Sequence, residues 1–299
     1  MGNEPEEERE ITAKINTAEI RKAWAERAEK ARGITVVTML GARTDLGRVR
    51  ENNEDKFEFY QPDDEDVLAR KGALYAVADG MGGHASGQIA SELALKTTVG
   101  SYYADASPMV EHSLRSALQT ANALIFDAAR AIPDRNGMGT TVTMLVVRGE
   151  EAFIANVGDS RTYRLRGGKL EQITEDHSWV NEQVKRGGLS AEEAAYSPFR
   201  NIITRSLGNA PSVEVDVFTE ELREGDVFLL CSDGLTGEVP DDEIREALQG
   251  SAPSVAAWNL VERALESGGR DNCTVLILAV RDIIKKGKRK GIAGLLGRD

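Results

Sequence analysis

Leu74-Tyr-Ala-Val-Ala-Asp79-Gly80-Met-Gly82 is an apolar run that stops at Asp-Gly, and the chain repeats the device at Phe228-Leu-Leu-Cys-Ser-Asp233-Gly234-Leu-Thr-Gly237. Each run reads as a buried strand that delivers a carboxylate at its end, where a site opens to water. The glycine lets the backbone turn sharply and approach a ligand closely. Two more aspartates border strand-like runs. Asp159, in Asn156-Val-Gly-Asp-Ser-Arg161, follows Ala152–Val157; Asp271, in Gly268-Gly-Arg-Asp-Asn272, precedes the final run. A single Asp-Gly is ordinary turn chemistry. Four carboxylates at strand ends, drawn from four distant segments, are placed to meet on one edge of the sheets. If they meet, their repulsion in a partly buried site is severe, and hard divalent cations relieve it. Carboxylate, backbone carbonyl and water are the ligands that Mg2+ and Mn2+ prefer.

Outward from these runs, apolar and β-branched stretches predict strands at Ile34–Ala42, Ala73–Ala78, Thr140–Val147, Ala152–Val157, Thr162–Leu165, Val213–Phe218, Val227–Cys231 and Asn272–Val280. Helical spacing predicts helices at Ser86–Tyr103, Met109–Ile132, Asp241–Leu248 and Ser254–Ser267, and the polar stretch Val180–Phe199 is helical in part. Many strands with a pair of long consecutive helices predict sheets flanked by helices, an α+β domain. The uneven alternation of strand and helix fits a doubly wound parallel sheet poorly. Before this region, residues 1–32 form a helical extension. Asn16 with Glu19 resembles a capping box, Thr17–Arg32 is rich in helix formers, and Gly33 supplies a stop. Ile20, Trp24 and Ala28 make one thin apolar stripe, expected to lie on the main domain.

Composition narrows the chemistry. The 299 residues are 41% apolar and 29% charged with both signs mixed, which argues against wholesale disorder. A net charge of −12 argues against a nucleic-acid binder and suits a protein that holds cations. Two cysteines, Cys231 and Cys273, lie in strand-like runs and read as buried thiols of a reducing compartment. Three histidines are too few for a zinc site built mainly from His and Cys. The acidic start has no apolar signal segment, and no apolar run is long enough to span a bilayer. The expected location is cytoplasmic. The tail 283–299 is basic, with five cations in Lys285-Lys-Gly-Lys-Arg-Lys290 followed by Ile292, Leu295 and Leu296. It reads either as a solvated tail or as a weak contact with anionic membranes.

A cation stands in a fifth segment. In Thr44-Asp-Leu-Gly-Arg-Val-Arg50-Glu-Asn-Asn-Glu54-Asp55, Arg50 is placed to bind a phosphate bidentately while Glu54 and Asp55 hold waters on a metal. A surface ion-pair cluster is the alternative. With Val77-Ala-Asp79-Gly80-Met-Gly-Gly-His84, Gly137-Met-Gly-Thr-Thr141, Val157-Gly-Asp-Ser-Arg161, Cys231-Ser-Asp-Gly234 and Gly269-Arg-Asp-Asn272, this segment resembles the metal-dependent protein serine/threonine phosphatases of the PP2C type, bacterial branch. The motifs occur in the family's order over about residues 34–282. The resemblance implies an αββα sandwich of two antiparallel sheets between helix pairs, over 33–282. It implies a binuclear Mn2+ or Mg2+ centre and hydrolysis of phosphoserine and phosphothreonine. Asp79 would bridge both metals, and the Gly80 carbonyl would bind the second. Asp233 and Asp271 would bind the first. Asp159, with Asp233, would hold a third, and Arg50 would take the phosphate. Glu54 and Asp55 would act mainly through water. A metal-bound water or His84 would protonate the leaving group; His84 stands five residues after Asp79 rather than directly after Asp-Gly. Residues His177 to Arg205 fall where bacterial members carry a flap, with Gly187-Gly188 as a hinge. The substrates would be phosphorylated proteins, and a Ser/Thr kinase the counterpart.

Two other readings stay open on sequence. Gly80-Met-Gly82-Gly-His-Ala85 satisfies Gly-x-Gly-x-x-Ala after a strand and before a helix, the pattern of a dinucleotide-binding oxidoreductase. Asp79 would then place a carboxylate beside a pyrophosphate, which is unfavourable without a metal. A non-catalytic binding module of the same fold is the second.

Overall fold

Every strand ladder among the described residues is antiparallel. The computed structural model describes residues 17–82 and 86–285. The elements run α1 (Thr17–Arg32), β1 (Ile34–Asp45), β2 (Asp55–Tyr60), α2 (Glu65–Lys71), β3 (Ala73–Met81), α3 (Ser86–Ala104), α4 (Val110–Ala131), β4 (Gly139–Thr140), β5 (Val142–Arg148), β6 (Glu151–Val157), β7 (Arg161–Arg166) and β8 (Lys169–Gln172). They continue with α5 (Trp179–Lys185), α6 (Ala191–Ala195), β9 (Asp216–Glu221), β10 (Val227–Cys231), α7 (Asp233–Thr236), α8 (Asp241–Leu248), α9 (Pro253–Glu266) and β11 (Cys273–Lys285). One sheet has the order β1-β11-β10-β7-β8; the other has β2-β3-β5-β6-β9, with β4 paired to β3.

The strands read as unbroken apolar runs because both of their faces are buried. Along β3, Leu74, Ala76 and Ala78 face α3 and α4, whereas Tyr75 and Val77 face the second sheet. Along β10, Leu229 and Cys231 pack under α8 and α9, and Phe228 and Leu230 pack between the sheets. This two-residue period sorts the molecule into helix pair, sheet, sheet, helix pair, with three apolar cores between the layers. The expected αββα sandwich is therefore the fold. Both cysteines are free and buried.

Several elements depart from the sequence reading. β11 extends to Lys285 instead of ending at Val280, and so passes the expected domain limit at 282. It does so because β1 pairs with it along its whole length, from Asp45↔Cys273 to Ile34↔Lys285. β9 starts at Asp216, not Val213. β2, α2 and β8 were not expected. They are short, and β2 and β8 mix charged with apolar residues as sheet edges do. α1 packs on α2 and β1, with Ala31 buried and Arg32 2.8 Å from Asp66. Trp24 of the predicted stripe is half-buried; the side chains of Ile20 and Ala28, and Asn16, lie outside the description. So do residues 286–299 of the basic tail.

Candidate active site

Antiparallel order places the end of β3, the start of β2, the end of β6, the start of β7, the end of β10 and the start of β11 at one edge of the sandwich. Each predicted aspartate stands there. Asp55 and Asp79 are register partners across β2 and β3. Asp159 lies in the turn from β6 to β7, Asp233 opens α7 straight after β10, and Asp271 precedes β11. The two sheets are stitched together at this edge by hydroxyls. Ser232 donates to Asp55 Oδ2 at 2.7 Å, and Thr143 and Thr162 share a hydrogen bond of 2.7 Å.

The carboxylates feel one another strongly. Burial raises Asp79 well above the usual carboxylate range, and Asp55, Asp233 and Asp159 raise it further. Burial likewise pushes Asp55 up to about 7, against hydrogen bonds from Ser232 and Thr274. Asp159 is pushed up to about 8 by burial, then by Asp233 and Asp176. Asp233 is raised by burial and by Asp271; a hydrogen bond from Asp79 and the nearby Arg50 and Arg161 oppose this. Four acids thus resist ionisation together, each destabilising its neighbours' charge. Burial also raises Glu54, with Arg50 opposing.

Two of these oxygens, Asp55 Oδ1 and Asp159 Oδ1, are buried without a hydrogen-bond partner among the described residues. Buried carboxylate oxygens without donors are rare and call for a cation, a water or a proton. The donors are hard oxygens only, which fits Mg2+ or Mn2+ and not zinc. Among the described residues no group of three or more Asp, Glu, His or Cys side chains is drawn into a closed cage. Asp271 is instead turned onto Arg50, whose Nη2 lies 2.5 Å from Asp271 Oδ2. That hydrogen bond raises the Arg50 guanidinium above its ordinary value. Arg50 therefore sits in the basin, paired with Asp271 rather than with Glu54 or Asp55. His84 lies outside the described residues.

Glycine is compulsory at the floor. A Cβ on Gly80 would stand 2.1 Å from the Gly87 carbonyl oxygen, and one on Gly87 would stand 2.1 Å from Glu54 Oε2. Glu54 thus lies over the first turn of α3, while its carbonyl accepts from Gly80 N–H at 3.2 Å.

Sequence reading missed the residues that hold this arrangement. Asn272 donates to the carbonyls of Leu46 and Asn52, at 2.8 and 3.0 Å, and accepts from Glu54 N–H at 2.8 Å. It clamps both ends of the loop that carries Arg50. Thr141 Oγ1 accepts from Asp79 N–H at 3.2 Å and bonds Ser160 at 2.7 Å, linking the Asp79 and Asp159 segments. Arg161 grips Asp176 through Nε and Nη2. The available signal was position: each is a small polar residue or an Arg one or two places from a strand-end Asp, or directly after a buried Gly-Thr.

A cleft of about 480 Å³ runs from Asp159 and Asp233 along α5 and α6 to Arg200. α5 and α6 fall inside the predicted flap.

Comparison with known proteins identifies the family and the fold. The family model of protein phosphatase 2C matches residues 48–272. The serine/threonine phosphatase stp of Listeria monocytogenes is 39% identical over 251 residues, covering 82% of this chain and 97% of that protein. The structure of the catalytic domain of the serine/threonine protein phosphatase PstP in complex with two manganese ions is 39% identical, with a TM-score of 0.72 over 83% of this chain and 100% of that one. The serine/threonine phosphatase of S. agalactiae is 35% identical, with a TM-score of 0.75 over 82% and 100% of the two chains.

Proposed function

The chain belongs to the protein phosphatase 2C family and is a serine/threonine protein phosphatase, and on that premise we propose which of its residues carry the reaction. The carrying observation is the pair of buried, unpartnered carboxylate oxygens of Asp55 and Asp159 beside Asp79 and Asp233. Asp79, the Gly80 carbonyl, Asp233 and Asp271 would hold two Mn2+ or Mg2+ ions, and Asp159 with Asp233 would hold a further one. Bound there, such cations supply an activated water and positive charge for in-line attack on phosphorus. Asp55 and Glu54 orient water at the rim of that centre. Arg50 leaves Asp271 and takes the equatorial phosphoryl oxygens, offsetting the charge that develops there. Its 54% exposed side chain leaves room for that swing. His84 is the proton donor to the departing seryl or threonyl oxygen. No nucleophilic side chain is required, which agrees with two cysteines whose thiols burial holds well above their ordinary value.

The test is phosphate release from a phosphothreonine peptide with Mn2+. Release that stops with EDTA and returns with excess Mn2+ is expected; release that persists in EDTA overturns the reading. The same assay disposes of a non-catalytic module, which would release nothing.

The substrates are phosphorylated proteins, and the expected counterpart is a Ser/Thr kinase in the cytoplasm. Among the described residues no helix is long and apolar enough to cross a membrane. The basic tail makes a weak, salt-sensitive contact with anionic membranes. Its support is the apolar surface near its root, where Val37, Met39 and Ile284 are exposed at the end of the β1–β11 ladder. Each Lys or Arg near such a surface adds on the order of 1 kcal/mol. Co-sedimentation with anionic vesicles at low salt should retain the full chain and lose a chain ending at Lys285. Equal recovery of both in the supernatant removes the membrane contact.

A further inference from the structure

Among the described residues the Asp159 carboxylate has no hydrogen-bond partner at Oδ1, while the backbone on either side of it is held. On one side, Ser160 is held by Thr141 at 2.7 Å. On the other, Gly158 has φ +111°, and a Cβ there would stand 2.5 Å from Thr141. Only glycine fits this position, and its two peptide groups are held chiefly by His177. Its N–H donates to His177 Nδ1 at 3.0 Å, and its carbonyl accepts from the His177 N–H at 3.0 Å. The carbonyl also accepts from Asn156 Nδ2 at 3.1 Å.

His177 is buried and is the first residue of the predicted flap; Arg205 is the last. The two ends meet. Nδ1 accepts from Gly158, so the ring proton is assigned to Nε2, which donates to Asp216 Oδ2 at 3.1 Å. Arg205 Nη1 donates to Asp216 Oδ1 at 2.9 Å and lies 3.1 Å from the ring. Burial holds His177 below its ordinary pKa, which keeps Nδ1 free to accept. The stem then closes as a short ladder, with Thr204 N–H donating to the His177 carbonyl at 2.8 Å and Trp179 N–H to the Ile202 carbonyl at 2.8 Å.

We propose that His177 is a positioning residue that couples the flap stem to the Gly158–Asp159 turn, so that the docking of residues 178–204 sets where the Asp159 carboxylate points. This rests on the reading of Asp159 as a carboxylate that serves a cation. Loss of the ring frees the Gly158 N–H, leaves the glycine turn free to change its backbone angles, and separates the flap from the cation site.

Mn2+ binding is measured by titration calorimetry for wild type, His177→Leu, His177→Asn, Asp159→Ala and the His177→Leu/Asp159→Ala double variant. Limited proteolysis within 179–203 reports the flap. Expected are a loss of about tenfold in the weakest Mn2+ affinity for His177→Leu, in the range known for residues that orient metal ligands, and faster flap cleavage. His177→Asn, whose Oδ1 replaces the Nδ1 acceptor, restores most of both. The double variant binds no more weakly than Asp159→Ala alone. Wild-type Mn2+ binding by His177→Leu, with Asp159→Ala impaired, overturns the coupling. Unchanged binding by Asp159→Ala overturns the coupling together with the reading beneath it. Should His177→Leu fail to fold, Asp216→Ala removes the Nε2 acceptor while leaving the ring, and an unaltered isotherm there overturns the proposal equally.

Discussion

Asp233 shows how one residue serves two opposed ends. Burial and Asp271 raise its pKa, and it accepts a hydrogen bond from the protonated Asp79. On the proposed assignment it would also be the carboxylate that two cation sites share. Asp233→Asn removes one negative charge from the basin. The expected result is turnover reduced by at least about a hundredfold, as for loss of a group that stabilises the transition state, with a metal-free melting temperature equal to or above wild type. Wild-type-like turnover at saturating Mn2+ removes Asp233 from the site. The cluster of aspartates was legible in sequence because four of them end or precede apolar runs, where any one alone would be ordinary turn chemistry. Arg50 was legible as a cation near acids, but not its partner. Its pairing with Asp271 joins positions 221 apart in the chain, and no local pattern announces such a contact.

Elements were legible wherever an apolar run was long, and least where structure rests on side-chain-to-backbone bonds. β3, β10 and β11 announce themselves because both faces are buried. The loop between β1 and β2 shows its charged residues in sequence but nothing of its shape, and it carries Arg50. Its shape comes from Asn272, from Arg48 N–H donating to the Gly269 carbonyl at 2.7 Å, and from Gly47, whose φ of +80° and closeness to the Asp271 carbonyl admit no side chain. Asn272→Ala leaves three backbone groups without their partner. Each buried polar group so orphaned costs about 1–3 kcal/mol where water cannot replace the bond. We expect a fall of several degrees in melting temperature and a rise in KM for a small phosphoester, since Arg50 loses its fixed approach. A variant with wild-type KM and stability shows that the loop is held by Gly47 and Arg48 alone.

At the scale of the whole molecule, the basin sets how stability varies with pH. Asp55 and Asp159, raised from 3.8 to about 7 and about 8, keep protons in the folded state that the unfolded chain has already released. Where the folded state binds more protons, stability falls as pH rises. The metal-free protein therefore loses stability from about pH 4 upward, until both groups have ionised near pH 9. His177 works the other way: its depressed pKa lets the unfolded chain bind the extra proton, so it adds stability as pH rises, but only up to its ordinary value of 6.5. Above about pH 7 the carboxylates act alone. In EDTA the melting temperature should drop between about pH 7 and about pH 9. Cations that bind the ionised basin stabilise the folded state by mass action, so the upward shift with Mn2+ should be larger at the higher pH. Asp159→Asn should flatten the EDTA curve, because its amide has no proton to lose. The measurement is differential scanning fluorimetry across that range, with and without Mn2+. A metal-free curve that is level or rising through this window shows that the carboxylates ionise freely, and that the sandwich edge holds them apart instead of together.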